Sequence, residues 1–457
     1  MLFYSGGCEL SFGKPKSPPE SGLPPNGRLP LHEMNNKASP PFPEFVMLIA
    51  SLMAVSSLSI DNLLPAFGPI TKSFSLTPAN RVQLIIYVYM VAMAGMMIVY
   101  GPIADRIGRR TAVLGGLSIY FAGSLLATFA PSFGLLLFAR TIQGVGAAST
   151  RVISLAIVRD RYAGREMARV MSFAMMVFIM VPMVAPEIGD TFLRLGSWHT
   201  IFASMLVSSM LVIAWFSLRM PETLHPQFRR KISIQSMTQG FKKVITTRVS
   251  IGYSTAQGLM FGCVMGYVGS ADQIFESDVY HLGNLFPLIF ASVVVGQGFA
   301  AFANSRLVRR LGTRRISHTS ICGYIFVAAL QLAIAFATNG HPPLFVFSSL
   351  LTLGFFLFGL TVPNFNAMAM EPLGDIAGTA SAFIGTYTTL IGAACGLTVG
   401  QSFNHTVIPL TAGFVTLSVL SLLIVAWTEH GQLFKPRHPD PSHLAPELEL
   451  RPAPSAD

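Results

Sequence analysis

Charged residues are scarce in this chain, whereas hydrophobic residues are abundant. Only 11% of its 457 residues are Asp, Glu, Lys or Arg, and 52% are hydrophobic. Soluble domains usually have about a quarter of their residues charged, because their surfaces must remain hydrated. The composition therefore excludes a water-soluble globule and predicts an integral membrane protein.

The signatures of several other protein classes are also missing. No stretch has the phosphate-loop spacing G-x-x-x-x-G-K-[ST], so we do not expect nucleotide hydrolysis. The net charge of +10 is spread over short connections, without the polybasic tract that would favour a nucleic-acid partner. The four cysteines are too widely spaced for a disulfide framework. Because no metal-ligand spacing or nucleophile–base set stands out, we predict no metal site and no enzymatic activity.

Long apolar runs recur along the chain. A membrane helix needs about 20 mostly apolar residues, and about twelve such runs are present. The predicted spans are 43–67, 82–104, 112–131, 133–157, 170–192, 198–218, 249–271, 284–305, 316–338, 343–366, 377–400 and 407–427. The predicted fold class is thus all-α and membrane-integral.

Polar segments divide these spans into two groups of six. The predicted domains are a disordered cytoplasmic tail at 1–41, a six-helix half at 42–218, a cytoplasmic loop at 219–248, a second six-helix half at 249–428 and a cytoplasmic tail at 429–457. The first tail is rich in Pro, Ser, Gly and Asn and lacks the order of a signal peptide. Since Met34 opens a more typical short lead into the first span, we hypothesise that translation begins there.

Lys and Arg are distributed unequally between the two sides of the membrane. If the N-terminus is cytoplasmic, 26 of the 31 lie on the cytoplasmic side and three on the outer side. The other two, Arg140 and Arg151, lie within a span. Cytoplasmic connections carry the excess of positive charge in membrane proteins, so this distribution predicts that both termini are cytoplasmic.

A dense group of charged residues and glycines lies between the second and third apolar runs. Its members are Gly101, Asp105, Arg106, Gly108, Arg109 and Arg110. We expect a short loop at the membrane surface, in which Gly108 permits a tight turn. Arg109 and Arg110 can face phospholipid headgroups or the end of a neighbouring helix. A degraded copy at 309–315, with Gly312 in the place of Gly108, suggests that the two halves are repeats.

Two ionisable residues inside spans are the strongest functional candidates, because a charge in hydrocarbon costs several kcal/mol unless it meets a partner or water. Asp61 and Arg140 are expected at comparable depth in the first and fourth helices, which allows a direct or water-mediated pair. Gln143 shares the Arg140 helix face. If the surroundings of Asp61 alternate, its carboxyl can bind and release a proton, whereas Arg140 stays charged. The alternative is a structural salt bridge between the two helices.

Several fragments together resemble the major facilitator superfamily and, within it, the Bcr/CflA group of bacterial drug:proton antiporters. They are Gly101–Arg110, Asp61…Leu64-Pro65, Arg140-x-x-Gln143-Gly144-x-Gly146-Ala-Ala148, Val158-Arg-Asp160, Val181-Pro-Met-Val-Ala-Pro186-x-x-Gly189, Pro221-Glu-Thr-Leu224 and Gly378-Thr-Ala-Ser-Ala382. The resemblance covers about residues 45 to 428. It identifies Pro182, Pro186 and Gly189 with the fifth-helix motif associated with antiporters.

The resemblance implies alternating access by two six-helix halves in the bacterial inner membrane, exporting small organic compounds in exchange for protons. Asp61 aligns with the first-helix acid used for coupling, with Arg140 and Gln143 beside it. The charged loop would hold helix ends together on the cytoplasmic side in the outward-open state. The energy source would be the proton gradient, with no cofactor, and membrane lipids and small molecules would be the partners of a monomer. An uptake permease for a small metabolite, proton-coupled or facilitative, shares the fold and is the alternative.

The fifth helix departs from the resembled pattern at its outer end. Ala185 replaces a glycine of the motif, and Asp190 replaces its last glycine. Glu187 and Asp190 therefore place two carboxylates where the pattern is apolar or glycine. They could form an added proton or cation site, or they could be solvated at the outer rim.

Overall fold

The computed structural model describes residues 40–229 and 234–434, and all of their regular secondary structure is helical. Within these two ranges, twelve helices have 20 or more residues. The first six are α1 (Phe42–Asp61), α2 (Leu84–Ile107), α3 (Arg109–Thr128), α4 (Phe133–Arg161), α5 (Gly164–Leu195) and α6 (Trp198–Arg219). The second six are α7 (Arg248–Ala271), α8 (Phe286–Leu311), α9 (Thr313–Ala337), α10 (Leu344–Met370), α11 (Ala377–Gln401) and α12 (Ile408–Thr428). The predicted all-α fold class is confirmed.

The helices are long and apolar enough for a membrane. Within the described chain, nine segments could cross a bilayer by length and hydropathy, and one of them, 344–401, contains both α10 and α11. These segments include all the long helices except α5 and α7, which have 32 and 24 residues. The protein is thus a multi-pass membrane protein.

Helix contacts repeat between the two groups of six. In the first group α1 packs on α5, α2 and α3 pack on α4, and α3 packs on α6. In the second group α7 packs on α11, α8 and α9 pack on α10, and α9 packs on α12. The two groups meet where α2 contacts α11 and where α5 contacts α8. The positions of the helices therefore agree with the repeat that the sequence suggested.

The loop predicted at Gly101–Arg110 is shorter than expected. Helix α2 continues to Ile107 and α3 begins at Arg109, so Gly108 is the only residue between them. Its φ of 103° lies in the region that favours glycine. Gly312, with φ of 78°, separates α8 from α9 in the same way. Charged residues that water solvates at a membrane surface can remain helical, which is why the sequence placed the helix ends too early.

The first span breaks earlier than predicted. Helix α1 ends at Asp61, and a 3-10 turn over Leu64–Ala66 leads into a short helix at Phe67–Ser73. Pro65 lies in this turn and cannot donate a backbone hydrogen bond, which explains the break. The connection at 219–248 contains another short helix, Ile234–Thr246.

The predicted domain boundaries and the proposed start at Met34 stay predictions. Residues 1–39, 230–233 and 435–457, which include most of both tails, lie outside the described residues.

Candidate functional site

Arg140 is completely buried, and several helices hold its guanidinium. Its Nε donates to the carbonyl of Ile85 at 3.0 Å, and its Nη2 donates to the carbonyl of Ser59 at 2.8 Å. Its Nη1 donates to Oε1 of Gln143 at 2.7 Å, and its charge lies 4.3 Å from the ring centre of Tyr89. One side chain therefore joins α1, α2 and α4 through donors in a fixed planar arrangement.

The contacts continue from Gln143 into α3. Gln143 Nε2 donates to Ser124 Oγ at 2.7 Å, and Ser124 Oγ donates to the Tyr120 carbonyl at 2.9 Å. The Tyr120 hydroxyl and Ser59 Oγ share a hydrogen bond of 2.6 Å. We call Arg140, Gln143, Ser124, Tyr120 and Ser59 the arginine network. No carboxylate belongs to it, so carbonyl and amide dipoles and the Tyr89 ring stabilise the arginine charge.

Asp61 lies at the end of α1, two residues beyond Ser59, and is only 7% exposed. Among the described residues its carboxylate has no ion pair and no hydrogen bond, and burial dominates its electrostatic environment. Tyr267 of α7 is close enough to interact with it electrostatically, and the Tyr267 hydroxyl has no partner within the described chain. Asp61 therefore lies near the other six-helix group.

The structure shows no direct pair between Asp61 and Arg140. Each ion pair found in the described chain joins other residues, and Arg140 uses its donors on Ile85, Ser59 and Gln143. A direct salt bridge between Asp61 of α1 and Arg140 of α4 is thus absent in this conformation, although the hydrogen bond from Arg140 Nη2 to the Ser59 carbonyl joins the same two helices.

Charged residues around Gly108 contact one another within the first six helices. Arg109 lies 2.6 Å from Asp105 and 3.0 Å from Asp160 at the end of α4. Arg110 donates to the carbonyl of Ser217 near the end of α6 at 2.7 Å. Of the two alternatives for the arginines, the helix end is thus the one observed for Arg110. Arg106 is exposed.

Glu222 also belongs to this group, because its carboxylate caps the N-terminus of α3. Its Oε1 accepts from the backbone of Arg109 at 2.8 Å, and its Oε2 accepts from the backbone of Arg110 at 3.2 Å. A carboxylate here satisfies free N–H groups and is favoured by the helix dipole. We call Asp105, Arg109, Asp160 and Glu222 the turn cluster, and its face of the protein the turn side.

Glu222→Gln is expected to lower the free energy of unfolding by about 1 kcal/mol, because the neutral amide has one acceptor oxygen for two backbone N–H groups. The change should appear as a lower apparent melting temperature of the purified protein in detergent. Glu166→Gln is the matched control, since Glu166 is an exposed first-turn residue of α5. Equal melting temperatures for the two variants would contradict the capping role.

A cluster of amides joins the two six-helix groups on the face opposite the turn side, which we call the opposite side. Gln83 Nε2 donates to Gln273 Oε1 at 2.7 Å and to the Gly400 carbonyl at 3.1 Å. Gln273 Nε2 donates to Asn80 Oδ1 at 2.8 Å, and Gln401 Nε2 donates to the Asn80 carbonyl at 2.7 Å. We call Asn80, Gln83, Gln273 and Gln401 the amide cluster. The amide cluster joins the N-terminal end of α2 to the C-terminal ends of α7 and α11 by hydrogen bonds.

The fifth-helix motif lies inside α5, which stays helical past Pro182 and Pro186. Gly189 is buried against α1, because a Cβ at this position would lie 2.1 Å from the carbonyl oxygen of Asn62. The glycine thus allows α5 to approach the break after Asp61. Gly189 thus shapes a helix contact, and none of the three motif residues belongs to the arginine network.

Glu187 and Asp190, the two carboxylates that depart from the resembled pattern, lie near the C-terminal end of α5, on the side of the protein opposite the turn side. Asp190 pairs with Arg194 one turn later at 2.5 Å, and Glu187 is exposed. No group of three or more His, Cys, Asp or Glu in the described part of the chain could hold a metal ion. Glu187 is thus solvated, whereas the Asp190 side chain is 16% exposed and paired, and an added proton or cation site at these two acids stays a prediction.

Sequence reasoning placed Arg140 and Gln143 on one helix face, but it did not identify their partners. Ser59, Tyr120 and Ser124 carry no motif signal, because serine and tyrosine are common in apolar helices. Asp160 and Glu222 did carry one, since both lie in fragments that supported the family resemblance. The amide cluster could have been found only from its position at three helix ends.

A twelve-helix protein with a buried arginine network and two facing six-helix groups belongs to the class of membrane transport proteins. A family model described as Major Facilitator Superfamily matches residues 49–397. The chain belongs to this superfamily, whose members are transporters and not enzymes, and its partner is therefore a small-molecule substrate.

Individual relatives agree with this assignment. The "Uncharacterized MFS-type transporter YdgK" of Bacillus subtilis is 30% identical over 84% of this chain and 94% of its own length. A "Bicyclomycin resistance protein homolog" of Haemophilus influenzae is 27% identical over 83% of this chain and 94% of its own length. The Escherichia coli xylose transporter XylE is similar in fold, with a TM-score of 0.66, 14% identity, and 87% and 99% of the two chains covered. The name of the Haemophilus influenzae relative is consistent with the predicted Bcr/CflA resemblance, and the xylose transporter shows the shared fold.

Proposed function

We propose that this protein exports small, partly apolar organic compounds across the bacterial inner membrane in exchange for protons. The coupling residue is Asp61, with both termini and the turn side in the cytoplasm and with one chain as the working unit. The name of the Haemophilus influenzae relative, a bicyclomycin resistance protein homolog, supports a drug-like substrate. The unequal distribution of Lys and Arg supports this orientation.

The observation that carries the proposal is the state of the Asp61 carboxylate. The carboxylate is buried and has no ion-pair partner within the described chain. It lies in the first six-helix group, near Tyr267 of the second group. An unpaired charge at this depth is costly, so a proton on Asp61 would stabilise the conformation described. A conformation that exposed Asp61 to water would favour loss of that proton.

The contacts between the two groups support alternating access. The amide cluster holds the opposite side closed, and Thr386 of α11 donates to the Ala94 carbonyl of α2 near mid-height at 2.9 Å. Within the described chain, the hydrogen bonds and ion pairs of the turn cluster stay in the first group. In the opposite conformation the amide cluster would separate and the turn cluster would meet the second group.

Asp61→Asn is expected to abolish substrate-driven proton movement, because an amide cannot exchange a proton between the two conformations. The measurement is proton release from the lumen of energised everted vesicles after addition of cationic and neutral drugs. Wild type should release protons when an exported drug enters the lumen, and Asp61→Asn should not.

Glu187→Gln is the matched control, since Glu187 is an exposed acid at the rim. It should release protons like wild type. If Asp61→Asn also responded like wild type, coupling would not involve Asp61. If wild type itself gave no response to any drug, antiport of these compounds would be contradicted and the uptake-permease alternative would gain support.

A further inference from the structure

A cavity of about 520 Å³ lies on the outer flank of the first six helices, toward the opposite side. Its walls come from α1, α3, α5 and α6, and they are almost entirely apolar. Leu195, Val207 and Leu211 at its mouth are 52–75% exposed, so they point to where membrane lipid packs. Sites for small organic molecules have volumes of about 300–1,000 Å³ and mostly apolar walls.

Most polar groups in this cavity already have partners. Thr200, Ser204 and Ser208 donate to carbonyls of α5 and α6, and the Tyr120 hydroxyl bonds to Ser59. Asn62 is the exception, because it is 3% exposed and its Oδ1 has no partner within the described residues. A buried acceptor without a donor destabilises the protein, and a ligand with an N–H or O–H group would satisfy it.

We propose that this cavity binds a membrane-dissolved amphipathic molecule with one hydroxyl or amino group, which donates to Oδ1 of Asn62. The apolar part of the ligand would fill the space between α1 and α6. A phospholipid acyl chain fits the walls but carries no donor, so it would leave Asn62 unsatisfied. The cavity lies outside the surface between the two groups of helices, although Asn62 directly follows Asp61 and Tyr120 of the arginine network forms part of its wall.

A second cavity provides an internal control. It has a volume of about 280 Å³ and lies against α2, where Tyr87 and Thr141 are its polar residues. Both hydroxyls donate to carbonyls, at 3.0 Å for each. A probe that only dissolves in the membrane would label this cavity whether or not it carried a donor.

The test is photo-crosslinking of the full chain in nanodiscs with a diazirine-bearing medium-chain primary alcohol, compared with its methyl ether. Mass spectrometry would locate the labelled residues. We expect the alcohol to label the Asn62 cavity about five- to tenfold more than the ether, the factor for one buried hydrogen bond. The second cavity should show no such preference.

Two variants complete the test. Asn62→Leu should remove the preference for the alcohol, and Ala203→Phe, which fills the cavity from α6 without changing Asn62, should abolish labelling there. Equal labelling by alcohol and ether in wild type would overturn the proposal and indicate lipid chains, as would absence of labelling. If Asn62→Leu did not fold, the comparison of the alcohol with its methyl ether in wild type, together with the loss of labelling in Ala203→Phe, would still test the proposal.

Discussion

Arg140→Lys is expected to reduce transport by about 100-fold or more, although lysine keeps the positive charge. The guanidinium reaches the carbonyls of Ser59 and Ile85 and the amide of Gln143 in three directions, which one ammonium on a flexible stem cannot reproduce. Two lost buried hydrogen bonds at about 1–3 kcal/mol each correspond to this factor. The measurement is drug-driven proton release in everted vesicles.

Arg159→Lys is the matched control for this prediction. Arg159 lies on the same helix, α4, but is exposed near its end. It should transport like wild type and melt at the same temperature. If Arg140→Lys behaved like this control, the arginine network would be tolerant of its central residue and the proposed joining of three helices would be wrong.

Gly189→Ala is expected to lower the free energy of unfolding by about 1–3 kcal/mol and to abolish most transport. The added methyl group would meet the backbone oxygen of Asn62 at 2.1 Å, and neither backbone can move by a side-chain rotation. Helix α5 would have to shift away from the end of α1, next to Asp61. Thermal unfolding in detergent and the vesicle assay measure the two effects.

Gly95→Ala serves as the comparison for this substitution. It also lies in a long helix, but a Cβ there would have no neighbour within 4 Å. Because alanine favours helices more than glycine, Gly95→Ala should be neutral or slightly stabilising. A Gly189→Ala protein as stable as Gly95→Ala would show that α5 and α1 are less closely packed than described.

The sequence predicted the number of long helices because most of them are apolar over the thickness of a membrane, which makes each one visible as an apolar run. It predicted poorly where helices end. The charges around Gly108 indicated a loop, but polar residues at a membrane surface can stay helical, and only the glycine interrupts the helix. Pro65 could have signalled the break after Asp61, since proline lacks the backbone donor.

The site was predictable only in part, for a related reason. Arg140 was visible because a charge among apolar residues is unusual, and Gln143 because of its helical spacing. Their partners are backbone carbonyls of Ile85 and Ser59, which every residue has and which no sequence pattern marks. The sequence allowed a direct or water-mediated pair with Asp61; the direct pair is absent between these two side chains, because Arg140 donates to the two carbonyls and to Gln143.

The turn cluster and the amide cluster are built from different kinds of polar group. The turn cluster consists of charged side chains, whose interactions dissolved salt screens over about 8–10 Å. The amide cluster contains no ionisable side chain, so neither ionic strength nor acidity changes the charges that hold it. The hydrogen bonds of the amide cluster therefore keep their donors and acceptors when the acidity or salt content of the surrounding solution changes, in contrast to the Asp190–Arg194 ion pair on the same face.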